Sequence, residues 1–230
     1  MTNKISDTIR TRIKSKGAKF HSNSNIAEFI QDGELDKLVD EVAEKFEGVL
    51  DSLLIDREND PNAMGTGRRL AKMYIHELFE GRFYEAPAAT AFPNTGEEAY
   101  KGMLVVRSEL KSVCSHHWQP VNGVAYIGII PGEKVIGLSK YTRIAQHCAR
   151  RGTLQEELCN DIAREIQAAT DSEDVAVYIA AEHGCCTNRG IMAHNSTTQT
   201  TVLRGEFKNA DVKKEFFDNI ALQTGGFACR

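Results

Sequence analysis

The chain contains no run of about 18 apolar residues, so no segment is expected to span a membrane. It also has no apolar core behind its charged start, "MTNKISDTIRTRIKSKG", which therefore does not read as a secretory signal. The Arg, Ser and Thr there have some transit-peptide character, and Asp7 counts against it; a cytoplasmic location is the expectation. There is no excess of positive charge. The formal net charge of −4 provides no global attraction to nucleic acid, and an anionic ligand would need local cations. A phosphate-binding Gly-rich loop is missing, since "GTGRR" is too short and lacks the Lys-Ser/Thr that should follow. No internal repeat is visible. Six cysteines in 230 residues, without a secretory signal, read as thiols or metal ligands rather than a disulfide framework.

What is present is an ordinary globular composition, 41% apolar and 26% charged, long enough for a substantial core in one or two domains. Residues 1–33 are polar and basic with little periodicity and read as a mobile arm, with a short helix near "IAEFIQDG". From Leu35 the pattern changes. Leu35, Leu38, Val39, Val42, Phe46, Val49, Leu50 and Leu53 recur at three- and four-residue steps, the apolar stripe of one long helix. "NDPNAMGTG" breaks it, and "RRLAKMYIHELFEG" resumes helical spacing with Gly81 as a stop. A Pro/Ala/Gly-rich loop follows, closing a helical region at 34–100.

Beyond residue 101 the apolar residues become β-branched. "KGMLVVRSELKSVC" and "QPVNGVAYIGIIPGEKVIGLSK" suggest consecutive antiparallel strands. "TLQEELCNDIAREIQAATD" spaces Leu154, Leu158, Ile162 and Ile166 four apart, a helix with Thr153 as its N-cap. "DVAVYIAAEH" alternates Val175, Val177 and Ile179 on one face of a strand, "TTQTTVLRGEF" is another strand, and "DVKKEFFDNI" a short closing helix. Helices first, then strands and helices without strict alternation, make the chain α+β. Residues 101–224 form the second domain, and 225–230 a tail.

The chemistry concentrates in "SVCSHHWQP" and "EHGCCTNRG". Cys114 and His117 are three apart at a strand end, and zinc takes thiolate sulfur and imidazole nitrogen readily. Cys185 or Cys186, after another strand, supplies a third ligand. Three protein ligands leave one tetrahedral position for water, whose pKa falls from about 16 to about 7 on zinc. His116 and His183 would remain for proton transfer. The plainer alternative is a buried cysteine beside a surface histidine. Cys148 and Cys159 lie in helical patterns and read as core; Cys229 is assigned nothing. His21, His76, His147 and His194 read as surface or packing residues.

"CSHHWQPVNGVAYIGIIPGEKVIGLSKYTRIAQHCARRGTLQEEL", then "EHGCCTNRG", with "RRLAKMY" earlier, resembles the GTP cyclohydrolase I family over about residues 35–222. The resemblance implies the tunnelling fold, antiparallel strands backed by helices, as the catalytic domain at 101–224. It also implies a ring-shaped homodecamer with active sites between subunits. The zinc ligands it implies are Cys114, His117 and Cys185. The implied reaction converts GTP, with dGTP a second candidate, to 7,8-dihydroneopterin triphosphate and formate. His183 is then the proton donor to guanine N7, His116 a second shuttle, and Ser139 the residue approaching the ribose.

Glu156, with Gln155 beside it, is implied to read guanine, because a carboxylate presents two acceptors to N1–H and the 2-amino group. On spacing alone Glu156 is equally a solvated charge favoured by a helix N-terminus. Lys140 and Arg143, Arg189, and Arg69 with Lys72 are the cations available for a triphosphate, each pair three residues apart on one helical face. Arg69 and Lys72 are implied to reach a neighbouring subunit's site.

The chain departs from the family at Ser115, where Glu is usual, and at Gly67, where Pro is usual; the middle of "HGCCTNRG" also differs. Two other readings stand beside this one: a tunnelling-fold reductase of a deazapurine nitrile, which would need one reactive thiol and a nicotinamide, and a non-catalytic zinc-binding homologue. The downstream use of the product, in folate, another pterin or deazaguanine nucleosides, is not selected by any residue.

Overall fold

The computed structural model describes residues 4–226. Residues 227–230 of the expected tail, Cys229 among them, lie outside the described residues. The chain forms two compact units, Met1–Glu85 with Arg150–Gly152, and Ala86–Ala149 with Thr153–Arg230. No helix among the described residues is long and apolar enough to cross a membrane.

The first unit is helical. Helix α2 (Glu34–Ser52) follows the predicted stripe and buries Val39 and Ala43 against Ala71 and Ile75. These come from α3 (Thr66–Met73) and the π-helical turn Tyr74–Leu78 that extends it. The helix does not stop at Gly81: Gly81 is buried inside α4 (Glu80–Phe83). Gly67 lies where α3 meets α2. A Cβ there would come within 2.9 Å of the Ala43 carbonyl oxygen and 2.5 Å of Glu47 Cγ. A residue without a side chain is what this contact admits.

The arm expected over 1–33 is instead partly ordered. Helix α1 (Ile5–Ser15) buries Ile9 and Ile13 against Ile26 and Phe29, the latter in a 3-10 turn, Ala27–Phe29. Polar contacts fix it further. Ser6 donates from N and Oγ to the Glu41 carboxylate at 3.0 and 2.7 Å. Arg12 pairs with the buried Glu34, which also accepts from Gln31 N at 2.8 Å. The Arg12 hydrogen bond holds the Glu34 carboxyl below its ordinary range, against the opposing effect of burial.

The second unit is a four-stranded antiparallel sheet in the order β2-β3-β5-β6, comprising β2 (Leu104–Val113), β3 (Pro120–Ile129), β5 (Val175–His183) and β6 (Thr198–Leu203). Its two faces follow the pleat. Ala125, Ile127, Ile129, Val175, Val177 and Ile179 face α5 (Leu138–Ala149) and α6 (Gln155–Thr170), whose Tyr141, Ile144, Leu158, Ile162 and Ile166 complete the main core. Tyr126 and Ala176 face the other way, against Phe207 and Phe216. Phe216 belongs to α8 (Ala210–Gly226), a longer closing helix than the sequence suggested.

This is the α+β architecture expected, antiparallel strands backed by helices. The boundary differs from expectation. Residues 86–100 belong to the sheet unit because β1 (Ala91–Pro93) pairs with β4 (Lys134–Ile136), Ala91 opposite Ile136, and Asn94 N donates to Glu133 O at 2.8 Å.

Candidate metal and nucleotide site

Strand register assembles the site. Val113 pairs with Pro120, and Val121 with His183. The end of β2, the start of β3 and the end of β5 therefore meet at one rim of the sheet. Cys114 is the next residue after β2, and Cys185 lies in the short helix α7 (Gly184–Thr187) directly after β5. The chain reverses between β2 and β3 through residues 115–119. Trp118 N donates to Cys114 O at 2.9 Å, Cys114 N donates to Gln119 O at 3.0 Å, and Trp118 takes a left-handed φ of 52°. The start of α6 reaches the same rim, since Thr153 bridges Cys114 and its N–H donates to Val113 O at 3.1 Å.

At this rim the ligand atoms of Cys114, His183 and Cys185 all lie within 4.8 Å of one another. Around a tetrahedral zinc, with bonds of about 2.3 Å to sulfur and about 2.0 Å to nitrogen, donors sit under about 4 Å apart, so a small closure suffices. Two sulfurs and an imidazole are the donor set zinc prefers. Burial, then the neighbouring Cys114 and Cys186 thiols, push the Cys185 thiol up to about 11. A thiol so placed is not primed as a free nucleophile, whereas a shared cation offsets the crowding of two sulfurs.

Cys186 stands outside the converging group. Both cysteines sit in the short helix α7 rather than on a strand. His117 is also outside the group. It lies exposed on the turn after Cys114, with the His116 ring edge-on at 6.4 Å.

Burial lowers the His183 pKa, and the Glu156 charge opposes this. Glu156 is exposed in the first turn of α6. Gln155 is only 3% exposed and points inward, its amide bonded to β5, β6 and His183. Thr153 is not the N-cap of α6. Leu154 occupies that position, and the Thr153 hydroxyl meets Leu154 O and Glu157 instead.

The phosphate candidates divide. Arg189 is exposed in the loop after α7, on the metal-candidate side of the chain's course. Ser139, Lys140 and Arg143 occupy the first half of α5, which starts from the opposite end of the sheet: Ile129 pairs with Val175 there, and Lys134 meets Asp171 at 3.2 Å. Lys140 Nζ donates to Ala88 O at 2.7 Å. Arg69 and Lys72 belong to the helical unit, where Arg69 holds its own turn through Met64 O at 2.8 Å and Thr66 Oγ1 at 2.6 Å. One chain thus brings together Cys114, Cys185, His183, Gln155 and Glu156, but not the α5 cations.

A family model described as GTP cyclohydrolase I matches residues 42–221. The GTP cyclohydrolase 1 of Flavobacterium johnsoniae is 37% identical over 210 residues, covering 89% of this chain and 93% of the relative. That of Aeromonas salmonicida is 39% identical over 184 residues, 77% of this chain and 83% of the relative. Among solved structures, the archaeosine synthase QueF-Like in the apo form overlaps at a TM-score of 0.38 and 17% identity, over 45% of this chain and 93% of that one, too little to bear on the chemistry. The match to the family spans both units and the whole convergent rim, and on it the chain belongs to the GTP cyclohydrolase I family.

Proposed function

We propose that the protein converts GTP to 7,8-dihydroneopterin triphosphate and formate with a zinc ion held by Cys114 and Cys185. The observation that carries this is the convergence of two thiols and an imidazole at one sheet rim of a GTP cyclohydrolase I family member. Zinc bound there supplies an activated water at neutral pH. His117, one turn from Cys114, is the third ligand, as in the family pattern. His183, already hydrogen-bonded to Gln155, is kept for proton transfer to guanine N7, which makes C8 electrophilic. His116 moves the second proton.

Glu156 accepts from N1–H and the 2-amino group of guanine. Ser139 meets the ribose, and Lys140, Arg143 and Arg189 the triphosphate, with Arg69 and Lys72 as further cations. The α5 residues start from the far end of the sheet, so a neighbouring copy supplies them. This fits the ring-shaped homodecamer of the family pattern. Ser115, where the family has Glu, removes one negative charge next to the ligand Cys114 and leaves the zinc more electrophilic.

Incubating the zinc-loaded full chain with GTP and with dGTP, followed by mass spectrometry, tests the reading. The expected product from GTP has lost one carbon as formate and kept its triphosphate. Recovery of unchanged GTP from fully loaded protein would refute it.

A further inference from the structure

We infer that Gln155 is a positioning residue for His183, not a reader of guanine, and that it fixes the imidazole with a hydrogen on Nε2 and its reactive lone pair on Nδ1. Gln155 is the first residue of α6 and is almost wholly buried. Its Nε2 lies 3.3 Å from Ile179 O, 3.1 Å from Thr198 O and 3.2 Å from Thr200 Oγ1. Carbonyl oxygens only accept, so the nitrogen end of the amide must face them. A flipped amide would set its own oxygen against two carbonyl oxygens, an acceptor facing acceptors.

The amide direction decides the histidine. Gln155 Oε1 lies 2.7 Å from His183 Nε2 and has no hydrogen to give. His183 Nε2 must therefore donate. Nδ1 is the ring nitrogen left facing away from Gln155, and the ring cannot turn over without breaking the 2.7 Å bond.

Both ends of the buried Gln155 amide are already engaged, the nitrogen by β5 and β6 and the oxygen by His183. Selection of guanine then falls to Glu156, the next residue, which is exposed. The catalytic consequence rests on the reading of His183 as a proton-transfer group; the hydrogen position does not.

Two measurements separate these claims. Neutron diffraction from crystals of the full chain at neutral pH should show a deuteron on His183 Nε2, with the Gln155 ND2 group towards Ile179 and Thr198. A deuteron on Nδ1 with none on Nε2 overturns the inference. In steady-state kinetics, Gln155→Met removes the amide at similar length. We expect kcat to fall roughly 10–100-fold, as for loss of a partner that orients a histidine, while KM for GTP stays within about twofold. A large rise in KM with kcat preserved would mean that Gln155 touches guanine, and unchanged kinetics would mean that it orients nothing that matters. If the unmodified chain fails to turn over GTP, the proposed function falls, but the neutron result still decides the hydrogen position. It also decides the matter if Gln155→Met does not fold.

Discussion

The two units solve the problem of stability differently. The sheet unit has a core that runs continuously from β2 through β5 onto α5 and α6, and a second apolar layer under α8. The helical unit has two small apolar clusters and supplements them with polar pairs, Arg12 with Glu34 and Ser6 with Glu41. Arg82 there, its pKa lowered by burial, donates to the backbone oxygens of His21 at 2.5 Å and Ser24 at 3.1 Å. The convergent thiols and imidazole sit on the sheet unit. A site needs its groups held within about half an ångström, and strand register brings the ends of β2 and β5, which carry Cys114 and Cys185, to one rim.

The sharpest way to break that contrast is at the metal ligands. Cys185→Ser should lose bound zinc and turnover to background while the sheet unit stays folded, whereas Cys186→Ser should keep both; metal analysis and circular dichroism check this. Between the two imidazoles, His117→Ala should release the metal. His183→Ala should retain it and lose about 10²–10⁴-fold in kcat, the usual worth of a proton-transfer group. The opposite pattern of metal contents would exchange their roles.

Smaller effects follow at Glu156, the carboxylate proposed to read guanine. Glu156→Gln leaves one acceptor for two donors, which should cost about 1–3 kcal/mol of selectivity for guanine over a base lacking the 2-amino group, with zinc content unchanged. Competition kinetics between GTP and ITP give the number.

In the helical unit, Gly67→Ala puts a methyl into the α2–α3 contact and should destabilise by about 1–3 kcal/mol, read from urea unfolding followed by helix signal. Glu34 has a lowered pKa in the fold, so its pair with Arg12 contributes fully above the unfolded carboxylate value, about 4.3. That contribution is lost as pH falls through the lower folded value. Amide exchange in α1 should therefore quicken in acid before exchange in β3 and β5 does. Arg12→Met should abolish the difference at a cost of about 1.5–3 kcal/mol.

What the sequence shows depends on how far apart the partners are. The α2 stripe and the Val175, Val177, Ile179 alternation are local patterns, and both are realised. Cys114 and one of Cys185 or Cys186 were legible as partners because each motif follows an expected strand; the family resemblance chose Cys185. Helix α1 was missed because its apolar residues, Ile5, Ile9 and Ile13, are a narrow stripe among charges. The β1–β4 pairing escaped because three residues find their partners some 40 positions away. Gln155 was expected beside Glu156 at the guanine; its partners Ile179, His183, Thr198 and Thr200 lie on β5 and β6, which no local pattern connects to α6.

X-ray absorption at the zinc edge, on full chain loaded with one zinc, tests the centre of this account most directly. Two sulfur scatterers at about 2.3 Å with the remaining ligands nitrogen or oxygen is the predicted shell. A shell without sulfur, or with a single one, would contradict it.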